Sequence, residues 1–137
     1  MIAGFPTESD LAHQASFNMI EEAGITHLHV FPYSPRSVTP AAAMPQLSPE
    51  IIKARASALR QLGGQRLEEF LDSAVGSTDQ LLVEMGNRGH GRNFAKIRLD
   101  ETSYPSGCLV DVNIVGRDGD SLVGRAQPGE SKAYELV

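Results

Sequence analysis

The feature that most constrains this chain is a change of hydrophobic period at Val75-Gly76. Upstream, Ile52, Ala56, Leu59 and Phe70 repeat near helical spacing. They follow Ser48-Pro49-Glu50, which offers a cap, a proline at the first helical position and an acid in the first turn. Downstream the pattern alternates. Val110, Val112 and Ile114 face a core, while Leu109, Asp111, Asn113 and Val115 face away. One period cannot serve both halves. The expected fold class is therefore α/β over residues 1–74 followed by all-β over 75–137, and 137 residues are enough for two small units.

The α/β part opens on a short apolar run, Met1–Phe5, closed by Pro6 and read as a buried strand. A strand at the first residue looks like a chain entered midway. Ser9 or Asp10 can cap a helix running to about Ala23. Its expected apolar face is Ala12, Ala15, Met19, Ile20 and Ala23, with Phe17 at the edge and His13 solvated. Gly24 suits the position after the helix. Ile25–Phe31 reads as a second strand, with Leu28 and Val30 on one face and His27 and His29 on the other. Strand, helix, strand implies a parallel pair, whose C-terminal ends gather chemistry in such folds. Those ends are Gly4–Glu8 and Pro32–Arg36. Four prolines then make an ordered loop with one helical turn at Ala41–Met44. The helix after Ser48 runs to about Ala74. Gly63-Gly64 inside it costs about 1 kcal/mol per glycine relative to alanine and marks a bend or a close approach.

The all-β part reads as short strands at Leu81–Met85, Phe94–Leu99, Leu109–Val115 and Leu122–Arg125. Asp118-Gly119 suits a type I′ turn, and Gly129–Val137 is a last strand or a tail. Such spacing suggests a small antiparallel barrel.

Several functions are excluded or narrowed. The net charge of -5 argues against nucleic-acid binding by bulk charge, so any such binding needs a local patch. A single Cys108 allows no internal disulfide and no cysteine-only metal site, and a reducing, cytoplasmic setting follows as the default. No apolar run of about 18 residues occurs, so no membrane partner is expected. His27 and His29 lack a third ligand, and Cys108 lacks a base. No catalytic residue and no metal ligand is assigned.

Two candidate sites remain. Between Met85 and Leu99 there are four Arg or Lys residues and no acid, in Arg88-Gly89-His90-Gly91-Arg92-Asn93-Phe94-Ala95-Lys96-Ile97-Arg98. Glycines can bring backbone N–H groups to a phosphate, arginines can bind it bidentately, and Phe94 or His90 can stack on a base. The same residues also read as a flexible hairpin with solvated charges and Phe94 in the core. The second site is the pair of strand ends, where Glu8 and Arg36 can meet around an ammonium and a carboxylate, or serve only as a helix-start acid and a turn residue.

Ile2-Ala3-Gly4-Phe5-Pro6-x-Glu8, followed by Leu28-His29-Val30-Phe31-Pro32-Tyr33-Ser34-Pro35-Arg36-x-x-Thr39-Pro40-Ala41, resembles the last part of the radical S-adenosylmethionine barrel of the methylthiotransferases. Leu82-Val83-Glu84 and then Gly89-His90-x-x-Asn93-Phe94 resemble their C-terminal TRAM domain, a small RNA-binding β-barrel of OB-like kind. The nearest branch modifies threonylcarbamoyladenosine beside the tRNA anticodon. Relatives act on isopentenyladenosine or on an aspartate of a ribosomal protein.

The resemblance implies the closing βαβ-helix part of a partial TIM-like barrel over 1–74 and a TRAM barrel over 75–137. It implies S-adenosylmethionine and 4Fe-4S clusters in the parent enzyme. It places Gly4, Glu8, Phe31, Tyr33, Ser34 and Arg36 at the cofactor mouth. Arg88, His90, Arg92, Asn93, Phe94, Lys96 and Arg98 would grip a tRNA anticodon stem-loop. The family's CxxxCxxC motif and three further cluster cysteines are absent from this sequence. The chain alone is thus expected to hold no cofactor and to be inactive. It would need the missing N-terminal barrel portion, or self-associate through an open barrel edge. Thr7 and Val38 stand where the family commonly has glycine, and Gly91-Arg92 replaces a commoner Thr-Glu.

Overall fold

The computed structural model describes residues 1–101, 103–128 and 132–133. They form two compact units, Met1–Leu67 and Glu68–Val137, and the division falls inside one continuous helix.

In the first unit, β1 (Ile2–Ala3) pairs in parallel with β2 (Phe31–Pro32), Ile2 opposite Phe31 and Ala3 opposite Pro32. Helix α1 (Asp10–Glu22) connects them. The Ser9 hydroxyl caps α1 by accepting from Ala12 N–H. Its other end closes as a Schellman motif: Ile25 N–H donates to Ile20 O and Gly24 N–H to Glu21 O, with Gly24 at φ 63°.

The expected strands are longer than the real ones. Ile25–Phe31 shrinks to a two-residue bridge because only β1 lies beside it. The alternation still holds: Val30 is buried and Leu28 half-buried, while His27 and His29 are exposed. The buried face of α1 also differs from expectation. It runs through His13, Phe17 and Ile20, while Ala12, Ala15, Met19 and Ala23 are exposed. Alanine buries too little area to set the phase of a helix against Phe17 and Ile20.

A short 3-10 turn, Pro40–Ala43, precedes α2 (Pro49–Ala74). The Ser48 hydroxyl caps α2 by accepting from Ile51 N–H at 3.3 Å, and its carbonyl accepts from Ile52 N–H at 3.1 Å. Ala3, Ile20, Val30, Ala56, Leu59 and Leu62 form the core, with Met1, Phe17, Ile25 and Leu28 packed against it. The two glycines of α2 are not equivalent. A Cβ on Gly63 would lie 3.0 Å from Leu28 Cβ, whereas one on Gly64 would meet nothing within 4 Å.

The second unit is a β-barrel. Its strands are β3 (Thr78–Met85), β4 (Arg88–His90), β5 (Lys96–Leu99), β6 (Cys108–Asp118), β7 (Ser121–Ala126) and β8 (Lys132–Ala133). The pairing order β3-β4-β5-β7-β6 closes through a β3–β6 ladder, and β8 adds outside at Cys108 and Leu109. Closure removes both sheet edges from the five-stranded ring.

The expected antiparallel barrel needs one amendment, since β5 and β7 run parallel, with Lys96 opposite Ser121. The interior is filled by Leu81, Val83, Ala95, Ile97, Leu99, Cys108, Val110, Val112, Ile114 and Leu122, all buried. Burial of each larger aliphatic contributes roughly 1.5–3 kcal/mol. The β6–β7 turn centres on Gly119-Asp120, since Asp118 pairs with Ser121. Gly119 at φ 61° in the first central position matches a II′ turn, not the I′ expected from Asp118-Gly119. Apart from β8, the stretch 129–137 lies outside the described residues.

Candidate nucleic-acid interface and strand-end cleft

The basic stretch, read as a phosphate-binding loop or a flexible hairpin, is a hairpin of β4 and β5. Its inward residues are Gly89 and Ile97, and Arg88, His90, Lys96 and Arg98 alternate with them. Gly89 is obligatory: a Cβ there would sit 1.8 Å from Leu82 O. The β4–β5 register sets Arg88 opposite Arg98 and His90 opposite Lys96. Basic residues directly opposite one another are destabilising in a sheet unless anions sit beside them.

The protein supplies some of those anions from distant sequence. Glu84 Oε1 lies 2.8 Å from His90 Nδ1, Asp120 Oδ2 2.6 Å from Lys96 Nζ, and Asp118 Oδ2 3.5 Å from Arg98 Nη2. The patch without acids in sequence is therefore ringed by them in space. The Lys96 hydrogen bond, then its charge, holds the Asp120 carboxyl below the ordinary range. Arg88 and Arg92 have no ion pair among the described residues. These side chains surround a cleft of about 340 Å³ lined by Glu84, Arg88, His90, Lys96, Arg98 and Asp118, among others.

At the tip joining β4 to β5, Phe94 is 78% exposed and has φ 59°. Phe94 is thus not core. It is a large aromatic held in the left-handed region, where a non-glycine residue costs roughly 1–2 kcal/mol. The tip is ordered by Phe94 N–H donating to Gly91 O at 3.0 Å and Gly91 N–H to Ala95 O at 2.9 Å. Arg92 and Asn93 are exposed on it. A fixed, outward aromatic beside cations is the arrangement that stacks bases while neighbouring charges meet phosphates.

The strand ends of the first unit form a different kind of site. Tyr33 and Ser34 line an apolar cleft of about 300 Å³ together with Pro32, Ile52, Ala56 and Arg60. Tyr33 Oη is buried without a hydrogen-bond partner among the described residues, and its ring meets Phe5 edge-on at 5.4 Å. Arg60 braces the strand by donating to Val30 O at 3.1 and 3.3 Å.

Glu8 does not meet Arg36. Its Oε2 accepts from Gly4 N–H at 2.8 Å, and its Oε1 lies 3.1 Å from Arg55 Nη1. Arg55 also donates to Glu8 O at 2.7 Å and to Asp10 Oδ1 at 2.6 Å. His13, expected in solvent, places Nδ1 3.3 Å from Glu8 Oε1 and its ring edge-on to Phe17. Arg36 and Phe31 are exposed. Sequence reasoning missed Arg55, which reads as a polar helix position; its only signal is a carboxylate pair, Glu8 and Asp10, left without a partner nearby.

Cys108 is buried in the barrel, and no group of three His, Cys, Asp or Glu among the described residues can hold a metal ion. An iron–sulfur cluster needs several thiolates, so the residues present do not fit one. The apolar cleft with its unpartnered Tyr33 hydroxyl fits one wall of a nucleoside pocket. No helix among the described residues is long and apolar enough to cross a membrane.

Fold and sites together define a small closed β-barrel with a cationic, aromatic-tipped face, carried in one chain with a βαβ-helix unit. No protein-family profile matches the chain. Among curated proteins, it is 46% identical over 101 residues to the threonylcarbamoyladenosine tRNA methylthiotransferase of Rickettsia prowazekii, covering 74% of this chain and 24% of that protein. It is 33% identical over 101 residues to the Aquifex aeolicus protein of the same name, covering 73% and 25%. It is 32% identical over 138 residues to the tRNA-2-methylthio-N(6)-dimethylallyladenosine synthase of Corynebacterium efficiens, covering 100% and 25%. The chain belongs with the tRNA methylthiotransferases and matches a C-terminal part of them, spanning about a quarter of the length of these relatives.

Proposed function

We propose that this chain is the RNA-gripping and pocket-completing portion of a methylthiotransferase acting in the cytoplasm on threonylcarbamoyladenosine beside the tRNA anticodon. The barrel is read as a TRAM domain and residues 1–74 as the closing part of a radical S-adenosylmethionine barrel. The observation that carries the reading is the register of Arg88 against Arg98 and His90 against Lys96 beside an exposed, left-handed Phe94. It occurs in a chain whose relatives are named for tRNA modification. The greater identity to the Rickettsia protein favours the threonylcarbamoyl branch over the dimethylallyl one.

In this reading Arg88, His90, Arg92, Lys96 and Arg98 contact phosphates, with Asn93 and Phe94 meeting bases. Tyr33 and Ser34 form part of the S-adenosylmethionine wall, and Phe31 and Arg36 extend it at the surface. Gly4 and Glu8 shape the strand end through their own hydrogen bond. S-adenosylmethionine bound with a cluster supplies the radical chemistry of such enzymes. The chain by itself is inactive, and its two-stranded sheet is completed by the remaining barrel portion.

The test is binding of a tRNA anticodon stem-loop to the 137-residue chain across a salt series. Affinity is expected to fall steeply with salt, and Arg92→Ala to weaken binding and flatten that slope by about one. Absence of binding at low salt refutes the reading. Cleavage of S-adenosylmethionine by the chain alone refutes its inactivity. Stem-loops carrying threonylcarbamoyladenosine or isopentenyladenosine separate the two branches.

A further inference from the structure

We infer that Asp79 is a positioning residue for the base-stacking tip, fixing Phe94 and Arg92 through the backbone of the β4–β5 connection. This rests on the RNA-binding reading of the barrel face. The β3–β4 ladder ends at Leu82 opposite His90, after which the two strands stop pairing. The Asp79 side chain takes over where the ladder stops. Its Oδ1 accepts from Arg92 N–H at 3.2 Å and from Gln80 N–H at 2.7 Å.

Gly91 passes so close that a Cβ there would lie 2.3 Å from Asp79 Oδ2. The carboxylate thus holds the Arg92 backbone by a hydrogen bond and lies against Gly91 beside it. Those residues in turn set Phe94, whose N–H donates to Gly91 O. A carboxylate beside a phosphate-binding loop repels the ligand. Its place there has a reason only if it does something for the loop that outweighs the repulsion. Holding an aromatic at φ 59° is such a task, because a loose loop relaxes to negative φ. Ordering the tip before RNA arrives also removes an entropy loss from binding.

The experiment is a double-mutant cycle on the full chain, with anticodon stem-loop RNA at fixed low salt. Phe94→Ala should weaken binding about tenfold, the scale of one lost stacking contact. Asp79→Ala should weaken it several-fold with the barrel's melting transition retained, and should add almost nothing in the Phe94→Ala background. Asp79→Asn, which keeps the shape and a neutral acceptor, should fall between wild type and Asp79→Ala. It also serves if Asp79→Ala does not fold.

Additive losses overturn the inference, since a general structural role weakens binding whether or not Phe94 is present. Tighter binding by both Asp79 variants also overturns it, because the carboxylate is then merely repulsive. No binding by wild type overturns the RNA reading beneath it, whereas binding with additive losses overturns the inference alone.

Discussion

Arg55 is the one charged side chain buried in the cores among the described residues, at 8% exposure. Its guanidinium joins the Glu8 carbonyl, the Glu8 carboxylate and the Asp10 carboxylate, fastening the β1–α1 connection to α2. Arg55→Met removes the cation and leaves the half-buried Glu8 carboxylate with only Gly4 N–H and the His13 ring beside it. The expected cost is about 3 kcal/mol, read from the midpoint of urea unfolding.

Phe94 presents the opposite case. Phe94→Gly relieves the left-handed strain and should stabilise the barrel by about 1 kcal/mol in thermal melts, while weakening RNA binding. A residue whose replacement improves stability and harms binding is held for its ligand. Asp120 gives a pH signature. Its folded value lies below the ordinary 3.8, through the Lys96 hydrogen bond first. The contribution of this exposed pair is therefore present above pH 3.8 and lost as pH falls through the lower folded value. Asp120→Asn should melt slightly below wild type at neutral pH and converge with it as pH falls through that window, which flattens the acid limb of the stability–pH curve.

Helix α2 offers the sharpest contrast at the level of elements. Gly64→Ala meets nothing and should gain about 1 kcal/mol of helix propensity, whereas Gly63→Ala drives a methyl against Leu28 and should gain nothing or lose stability. Paired thermal melts read the difference. The sequence shows both glycines as one anomaly, because propensity knows nothing of the neighbour.

The same limit governs the rest of the fold. β6 was legible because Val110, Val112 and Ile114 announce their face by alternation. β4 was not, because its inward residue is Gly89, which has no side chain to signal burial. The face of α1 was misplaced because Ala12, Ala15, Met19 and Ala23 drew it away from His13 and Phe17, leaving Ile20 as the one residue common to the expected and the buried face. The basic face was legible in its cations, but its partners Glu84, Asp118 and Asp120 come from other strands. Arg55 and Asp79, which organise the two sites, sit among ordinary polar residues in sequence.

At the scale of the whole molecule, charge is sorted rather than spread. A chain of net charge -5 repels a polyanion from most directions, yet four basic residues share the β4–β5 face. Binding by such a face should depend strongly on ionic strength and remain restricted to one side of the barrel. Reversing Arg98 with Arg98→Glu should abolish stem-loop binding with little change in melting, since its ion pair is at the surface and worth less than about 1 kcal/mol.

That face also has a history in time. β5 reaches β7 in parallel only after β6 has crossed between them in sequence, and β3 meets β6 last along the ring. Ladders between residues about 25–35 positions apart form late, because loop closure precedes any gain from contact. Lys96 and Arg98 meet His90 and Arg88 in a local hairpin, but gain their β7 neighbours Ser121 and Val123 only when the ring shuts. A chain still emerging from the ribosome, or one nicked in β7, carries every cation of the patch and no working surface. If the proposed RNA binding holds, it reports that the barrel has closed, and amide exchange at Arg98 and Val123 should slow in the same kinetic phase in which binding appears.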